Sequence, residues 1–159
     1  MEMIDEIVNL LKDNNLKLSF AESCTGGLLS AKVVNVSGAS EVFNGGFVTY
    51  TNEMKMSLLG VDYDTLNKYS AVSKECAMEM AKGCKSKTGA DISLSVTGYA
   101  GPGDTPEEPK GLVYIGYAYG NIVSAREFRF TGERNTIRNK AVERAIELIK
   151  EIILEYKGK

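Results

Sequence analysis

Residues 16–34 read Leu16-Lys17-Leu18-Ser19-Phe20-Ala21-Glu22-Ser23-Cys24-Thr25-Gly26-Gly27-Leu28-Leu29-Ser30-Ala31-Lys32-Val33-Val34. Leu16, Leu18 and Phe20 alternate as a strand does, and the stretch from Leu28 continues as a helix that ends before Ser37-Gly38. Between them Ser23-Cys24-Thr25-Gly26-Gly27 supplies a glycine-containing bend. A strand running into a helix through such a bend is the building unit of an α/β sheet, and ligands bind in the crevice at the carboxyl ends of its strands.

Upstream, Ile4, Ile7, Val8 and Leu11 recur at helical spacing until Asp13-Asn14-Asn15 breaks the pattern. Downstream, Phe47-Val48-Thr49-Tyr50 has strand character, Asn52 is positioned to cap a short helix through Lys55 and Leu58, and Asp62 or Asp64 to cap another. Ser73 is an N-cap candidate for a helix whose buried stripe is Cys76, Ala77, Met80, Ala81 and Cys84. Ile92, Leu94 and Val96 alternate with Ser93, Ser95 and Thr97 as a strand leading into Gly98-Tyr99-Ala100-Gly101-Pro102-Gly103. Gly120-Asn121 separates Leu112 to Tyr119 from Ile122 to Phe130 as a two-residue hairpin turn, and a shift of apolar phase between Ala125 and Phe128 suggests a bulge. Ile137, Ala141, Ala145, Leu148, Ile149, Ile152, Ile153 and Tyr156 mark a long C-terminal helix. The expected fold is a three-layer α/β/α single domain, residues 1–159, with a mixed sheet, helices on both faces and a late β-hairpin.

The 159 residues suit one core, with 43% hydrophobic and 25% charged side chains. Nineteen Lys and Arg against 21 Asp and Glu give a net charge of −2 without a basic block, so nucleic acid is not an expected partner. No apolar run approaches the roughly 18 residues of a membrane span. The acidic start and the three cysteines, Cys24, Cys76 and Cys84, point to a reduced, cytoplasmic protein. Most restrictive, the chain has no histidine. Ser-His-Asp and Cys-His catalysis are excluded, as is His-ligated zinc, and a hydrolase built on this chain must take protons with Lys, Tyr, Glu, Asp or water.

Three segments hold candidate chemistry. In Ala21 to Gly27, Ser23 or Cys24 is a possible nucleophile beside helix-start amides that would serve as an oxyanion hole, though a serine or threonine here also caps helices. In Tyr50-Thr51-Asn52-Glu53-Met54-Lys55, a lysine acting as base near pH 7 needs its pKa lowered by about 3 units through burial or neighbouring charge. Alternatively, a charged Lys55 would favour the Tyr50 phenolate. The loop from Thr97 and Gly98 to Gly101 lines the same crevice, with the proline-containing stretch to Gly111 as a lid or a surface excursion. Arg134 and Arg138, one turn apart at the start of the last helix, form a candidate phosphate grip.

In combination, Ala-Glu-Ser-Cys-Thr-Gly-Gly, Phe43 to Gly46, Val48-Thr49-Tyr50-Thr51-Asn52 with Lys55, Leu59-Gly60-Val61, Ala71-Val72-Ser73, Thr97 to Pro102 and Gly132-Glu133-Arg134 resemble the CinA C-terminal domain family. That family includes nicotinamide-nucleotide amidohydrolases. The resemblance implies hydrolysis of the carboxamide of nicotinamide mononucleotide to nicotinate mononucleotide and ammonia, in pyridine-nucleotide salvage. It implies a serine nucleophile at Ser23 with Tyr50 and Lys55 as partners, substrate contacts from Thr97 and an arginine of the 134–138 segment, and an assembly of at least two copies. Substrate contacts are further expected from Thr25, Gly26, Gly27, Gly98 and Gly101, and neither metal nor cofactor is expected. The chain looks like the stand-alone form of the enzyme. Its lid segment departs from many relatives by reading Pro102-Gly103-Asp104-Thr105-Pro106-Glu107-Glu108-Pro109 where they carry Gly-Gly and a lysine. The rival readings are a Cys24 nucleophile with Glu22 and a lysine, and a nucleotide-binding or regulatory module without catalysis.

Overall fold

In the computed structural model, which describes residues 1–157, the first apolar stripe folds as α1 (Met3–Asp13) and the alternating segment as β1 (Leu18–Glu22). The chain continues through α2 (Leu28–Val34), a 3₁₀ turn (Ala39–Glu41), β2 (Phe43–Val48), α3 (Asn52–Leu59), α4 (Tyr63–Tyr69) and α5 (Lys74–Thr88). Then come β3 (Ile92–Gly98), β4 (Leu112–Tyr119), β5 (Ile122–Arg129) and α6 (Arg134–Lys157). Side-chain caps start three of the helices. Thr51, not Asn52, caps α3 by accepting from the Met54 amide; Asp62 caps α4 and Ser73 caps α5.

The strands form one sheet in the order β2-β1-β3-β4-β5. β2, β1 and β3 run parallel, and β4 and β5 are antiparallel additions. Glu22 pairs with Val48 on one side and Val96 on the other, so the carboxyl ends of three parallel strands stand in a row. The residues just beyond them begin the crevice that the fold class predicts.

Helices cover both faces, but the faces differ in chemistry. Leu18, Phe20, Ile92, Leu94, Val96 and Ile115 join the large core cluster with α1, α2 and α6. The opposite face presents Ser19, Ala21, Ser93, Ser95 and Gly116 to α5, and Thr97 to the segment just before it. The alternation of β3 therefore does not mark a solvent face: Ile92 to Thr97 are all buried. Ser95 Oγ donates to the Ala77 carbonyl at 2.6 Å, and Ser19 Oγ and Ser93 Oγ meet at 2.5 Å, so these three buried hydroxyls find partners. A Cβ on Gly116 would lie 2.2 Å from the Ala77 carbonyl oxygen, which is why α5 can sit this close.

The hairpin turns at Gly120-Asn121 with Gly120 at φ 56°. The expected bulge between Ala125 and Phe128 is absent: β4 and β5 pair residue for residue from Leu112–Arg129 to Tyr119–Ile122. β5 is an edge strand with both faces partly exposed, so no strict apolar alternation is imposed on it. No helix among the described residues is long and apolar enough to cross a membrane.

Candidate active site

Thr51 caps α3 just beyond the end of β2, and this places Lys55 on the first turn with its side chain directed into the molecule. Lys55 is 2% exposed, and Nζ lies 3.0 Å from Ser23 Oγ, 2.9 Å from the Thr49 carbonyl oxygen and 3.3 Å from the Tyr50 carbonyl oxygen. No ion pair engages it among the described residues. Burial holds its pKa below the ordinary 10.5, against a smaller opposing effect of the Cys76 and Cys24 thiols. As an ammonium, Nζ donates to all three oxygens. As a free amine it keeps both carbonyls and turns its lone pair to the Ser23 hydroxyl.

Ser23 follows β1 directly and still pairs with β3, its amide donating to the Val96 carbonyl at 2.9 Å. The chain then turns: the Gly26 amide donates to the Ser23 carbonyl, and Leu28 to Thr25, both at 3.0 Å. Gly26 at φ 58° and Gly27 at φ 105° take left-handed conformations that disfavour side chains. Behind this turn Arg138 Nε donates to the Cys24 carbonyl and Nη2 to the Thr25 carbonyl, each at 2.9 Å.

The start of α2 is not open to an anion, contrary to expectation. The buried Glu22 carboxylate accepts from the Leu29 amide at 2.8 Å, the Ser30 amide at 3.0 Å and Ser30 Oγ at 2.7 Å. The protein supplies its own negative charge at that helix end. With its oxygens so engaged, Glu22 is in no position to activate Cys24. Burial also pushes the Cys24 thiol up to about 11, leaving it protonated near neutral pH.

The opposite wall is the end of β3 and its loop. Thr97 Oγ1 donates to the Ala71 carbonyl at 2.8 Å, and Gly98 passes so close to β4 that a Cβ would lie 2.6 Å from Val113 Cγ2. Arg134, the first residue of α6, reaches across with one nitrogen on the Gly101 carbonyl and another 3.1 Å from the Tyr50 hydroxyl. These groups enclose an open cleft of about 360 Å³. Ser23, Tyr50, Lys55, Thr97, Gly98, Gly101 and Arg134 line it together, from four separate stretches of chain. Thr25, Gly26, Gly27 and Arg138 do not; they form the support behind the serine. Tyr50, an exposed residue, meets Lys55 through its carbonyl, whereas its phenol faces Arg134.

The CinA C-terminal domain pattern matches residues 1–153. The chain belongs to the CinA C-terminal domain family. A CinA-like protein from Kosmotoga olearia is 48% identical over 155 residues, and one from Thermotoga maritima 50% identical over 153. Each alignment covers 96% of this chain but only 38% and 37% of those longer relatives. A competence-damaged protein (CinA) superfamily structure from Klebsiella pneumoniae superposes with a TM-score of 0.93 at 31% identity, covering 96% of both chains. A competence/damage inducible protein from Agrobacterium tumefaciens gives 0.87 at 37% identity, over 95% of this chain and 96% of that one.

The cleft of this CinA domain also has walls beyond the expected site residues. Asn52, Tyr99 and Glu108 line it, the last from the loop where the lid was expected. Asn52 is the first residue of α3 and not its cap, and Glu108 lies in an exposed loop without periodicity to place it. Glu22, expected only as a partner for Cys24, has the capping role instead: it is a carboxylate ending a strand, seven residues before the Leu29 amide it accepts from. No cluster of His, Cys, Asp or Glu able to hold a metal ion occurs among the described residues.

Proposed function

We propose that this domain hydrolyses the carboxamide of nicotinamide mononucleotide to nicotinate mononucleotide and ammonia, with Ser23 as nucleophile and Lys55 as its base. The observation that carries the reading is the 3.0 Å contact between Lys55 Nζ and Ser23 Oγ inside a cleft, with burial lowering the lysine's pKa. A hydroxyl beside a buried amine whose pKa is lowered has a base at hand and needs no imidazole. Membership of the CinA family supports the choice of a pyridine nucleotide as substrate.

Lys55 takes the Ser23 proton as Oγ bonds to the carboxamide carbon. The tetrahedral oxyanion is met by the amide of Cys24, which lines the cleft beside Ser23, whereas that of Gly26 is spent on the Ser23 carbonyl. Losing one such donor typically costs about a hundred- to a thousandfold in rate. Lys55 then gives its proton to the departing nitrogen, the C–N bond breaks, and ammonia leaves an acyl-enzyme. Water, deprotonated by Lys55, cleaves that ester and restores the Ser23 hydroxyl. Arg134 holds the 5′-phosphate, releasing Gly101 and Tyr50 as it does so, and the Tyr50 phenol contacts the bound nucleotide.

Ammonia release from nicotinamide mononucleotide tests the scheme. Wild-type protein should turn over and Ser23→Ala should not, while Cys24→Ala retains activity. Binding without ammonia release, even at high enzyme concentration, would reject catalysis in favour of a nucleotide-sensing module. Equal efficiency on free nicotinamide would reject the phosphate anchor, since remote binding energy should help position the reacting group.

A further inference from the structure

Arg138 sits outside the cleft, yet its guanidinium is committed to the turn that carries the nucleophile. It donates to the carbonyls of Cys24 and Thr25, each at 2.9 Å, and to Asn135 Oδ1 at 3.1 Å. No carboxylate pairs with it among the described residues, so its charge is directed at backbone dipoles. Ile137, 1% exposed in the main core, fixes the rotation of α6 and so the place from which Arg138 reaches out. A Cβ at Gly26 would meet Nη2 in ordinary contact, at 3.5 Å, so the glycine answers to its left-handed φ of 58° and not to the arginine.

A planar trans peptide points its carbonyl and its N–H in opposite directions. Holding the Cys24 carbonyl on Arg138 therefore turns the Thr25 N–H to the far side of the turn. Holding the Thr25 carbonyl orients the Gly26 N–H, which donates to the Ser23 carbonyl at 3.0 Å. Two charge-assisted bonds from one planar, rigid group thus fix two consecutive peptides and, through the second, the backbone of Ser23 itself.

We propose that Arg138 is a positioning residue: it locks the 23–26 turn so that Ser23 Oγ and the adjacent amide face the reacting carbon together. This rests on reading Ser23 as the nucleophile, and it separates the two arginines, Arg134 toward substrate and Arg138 toward the backbone.

The experiment compares kcat and KM of wild type, Arg138→Ala and Arg138→Lys on nicotinamide mononucleotide and on the phosphate-free riboside, with thermal melts identifying variants that fold. Arg138→Ala should lower kcat about ten- to a hundredfold on both substrates, with KM changed less than about threefold, because misplacing reacting groups by an ångström costs rate on this order. Arg138→Lys keeps the charge but not the fork, and should fall in between; it carries the test if the alanine variant does not fold. A loss confined to the phosphorylated substrate with raised KM would make Arg138 a phosphate ligand, and unchanged kcat on both would also overturn the proposal. Should wild type release no ammonia from either compound, the function assigned above fails by itself. Labelling of Ser23 by an organophosphorus ester then decides for Arg138: about tenfold slower in the variants supports the lock, equal rates reject it.

Discussion

At the scale of a residue, Lys55 is the group whose chemistry and stability are tied together. Its folded-state pKa lies below the 10.5 of an unburied lysine. Between those two values the unfolded chain binds one proton more than the folded one, so the free energy of unfolding rises with pH through this window. Below the folded-state pKa the full cost of burying the charge is present. Thermal melts of wild type against Lys55→Met should therefore show a gain in Tm on going from pH 7 to pH 9.5 that is larger in wild type. Identical pH dependence would mean that burial does not lower the Lys55 pKa. In the proposed mechanism the same titration sets the rate: only the free amine would accept the Ser23 proton, so kcat/KM should fall as pH drops through the folded-state pKa. Lys55→Arg, which retains a proton at all accessible pH values, should lose activity by about a hundredfold or more.

At the scale of an element, α5 shows how far pattern reading reaches. Its cap at Ser73 and its stripe of Cys76, Ala77, Met80, Ala81 and Cys84 were legible, because a helix declares its buried face by period alone. What it packs against was not. The sheet face beneath it is made of Ser, Thr, Ala and Gly, residues that read as solvent-facing when only their polarity is considered, and just the three-dimensional closeness of helix and sheet gives them their role. Gly116→Ala tests this closeness. The added methyl would meet the Ala77 carbonyl oxygen at 2.2 Å and Ser95 Oγ at 2.4 Å, so α5 must shift. Urea unfolding should register a loss of about 1–3 kcal/mol or more, the usual range for overpacking. A change under about 0.5 kcal/mol would show that the helix rides more loosely than described. The juxtaposition in the cleft was legible by the same logic: Ser23, Lys55 and Thr97 follow strand ends that topology brings together, whereas the different partners of Arg134 and Arg138, one turn apart on α6, depend on the direction of each side chain and leave no trace in spacing.

At the scale of the molecule, the cleft exists only as a joint product of β1, β2, β3 and the start of α6, which come from sequence positions as far apart as Ser23 and Arg134. A ligand that bridges these segments binds the folded chain and not the unfolded one, and so stabilises the whole domain. With Ser23→Ala to prevent turnover, nicotinamide mononucleotide at about a hundred times its Kd should add about 2.7 kcal/mol, which for a domain of this size raises Tm by roughly 5–10 °C. Free nicotinamide at the same concentration should add far less, because it leaves Arg134 unengaged. Introducing Arg134→Ala into the same background should bring the nucleotide's effect down toward that of nicotinamide, while Arg138→Ala should leave the nucleotide's advantage over nicotinamide in place. If instead both compounds shift Tm equally in every variant, the far end of the ligand is not gripped by α6, and the phosphate site must be sought on another wall of the cleft.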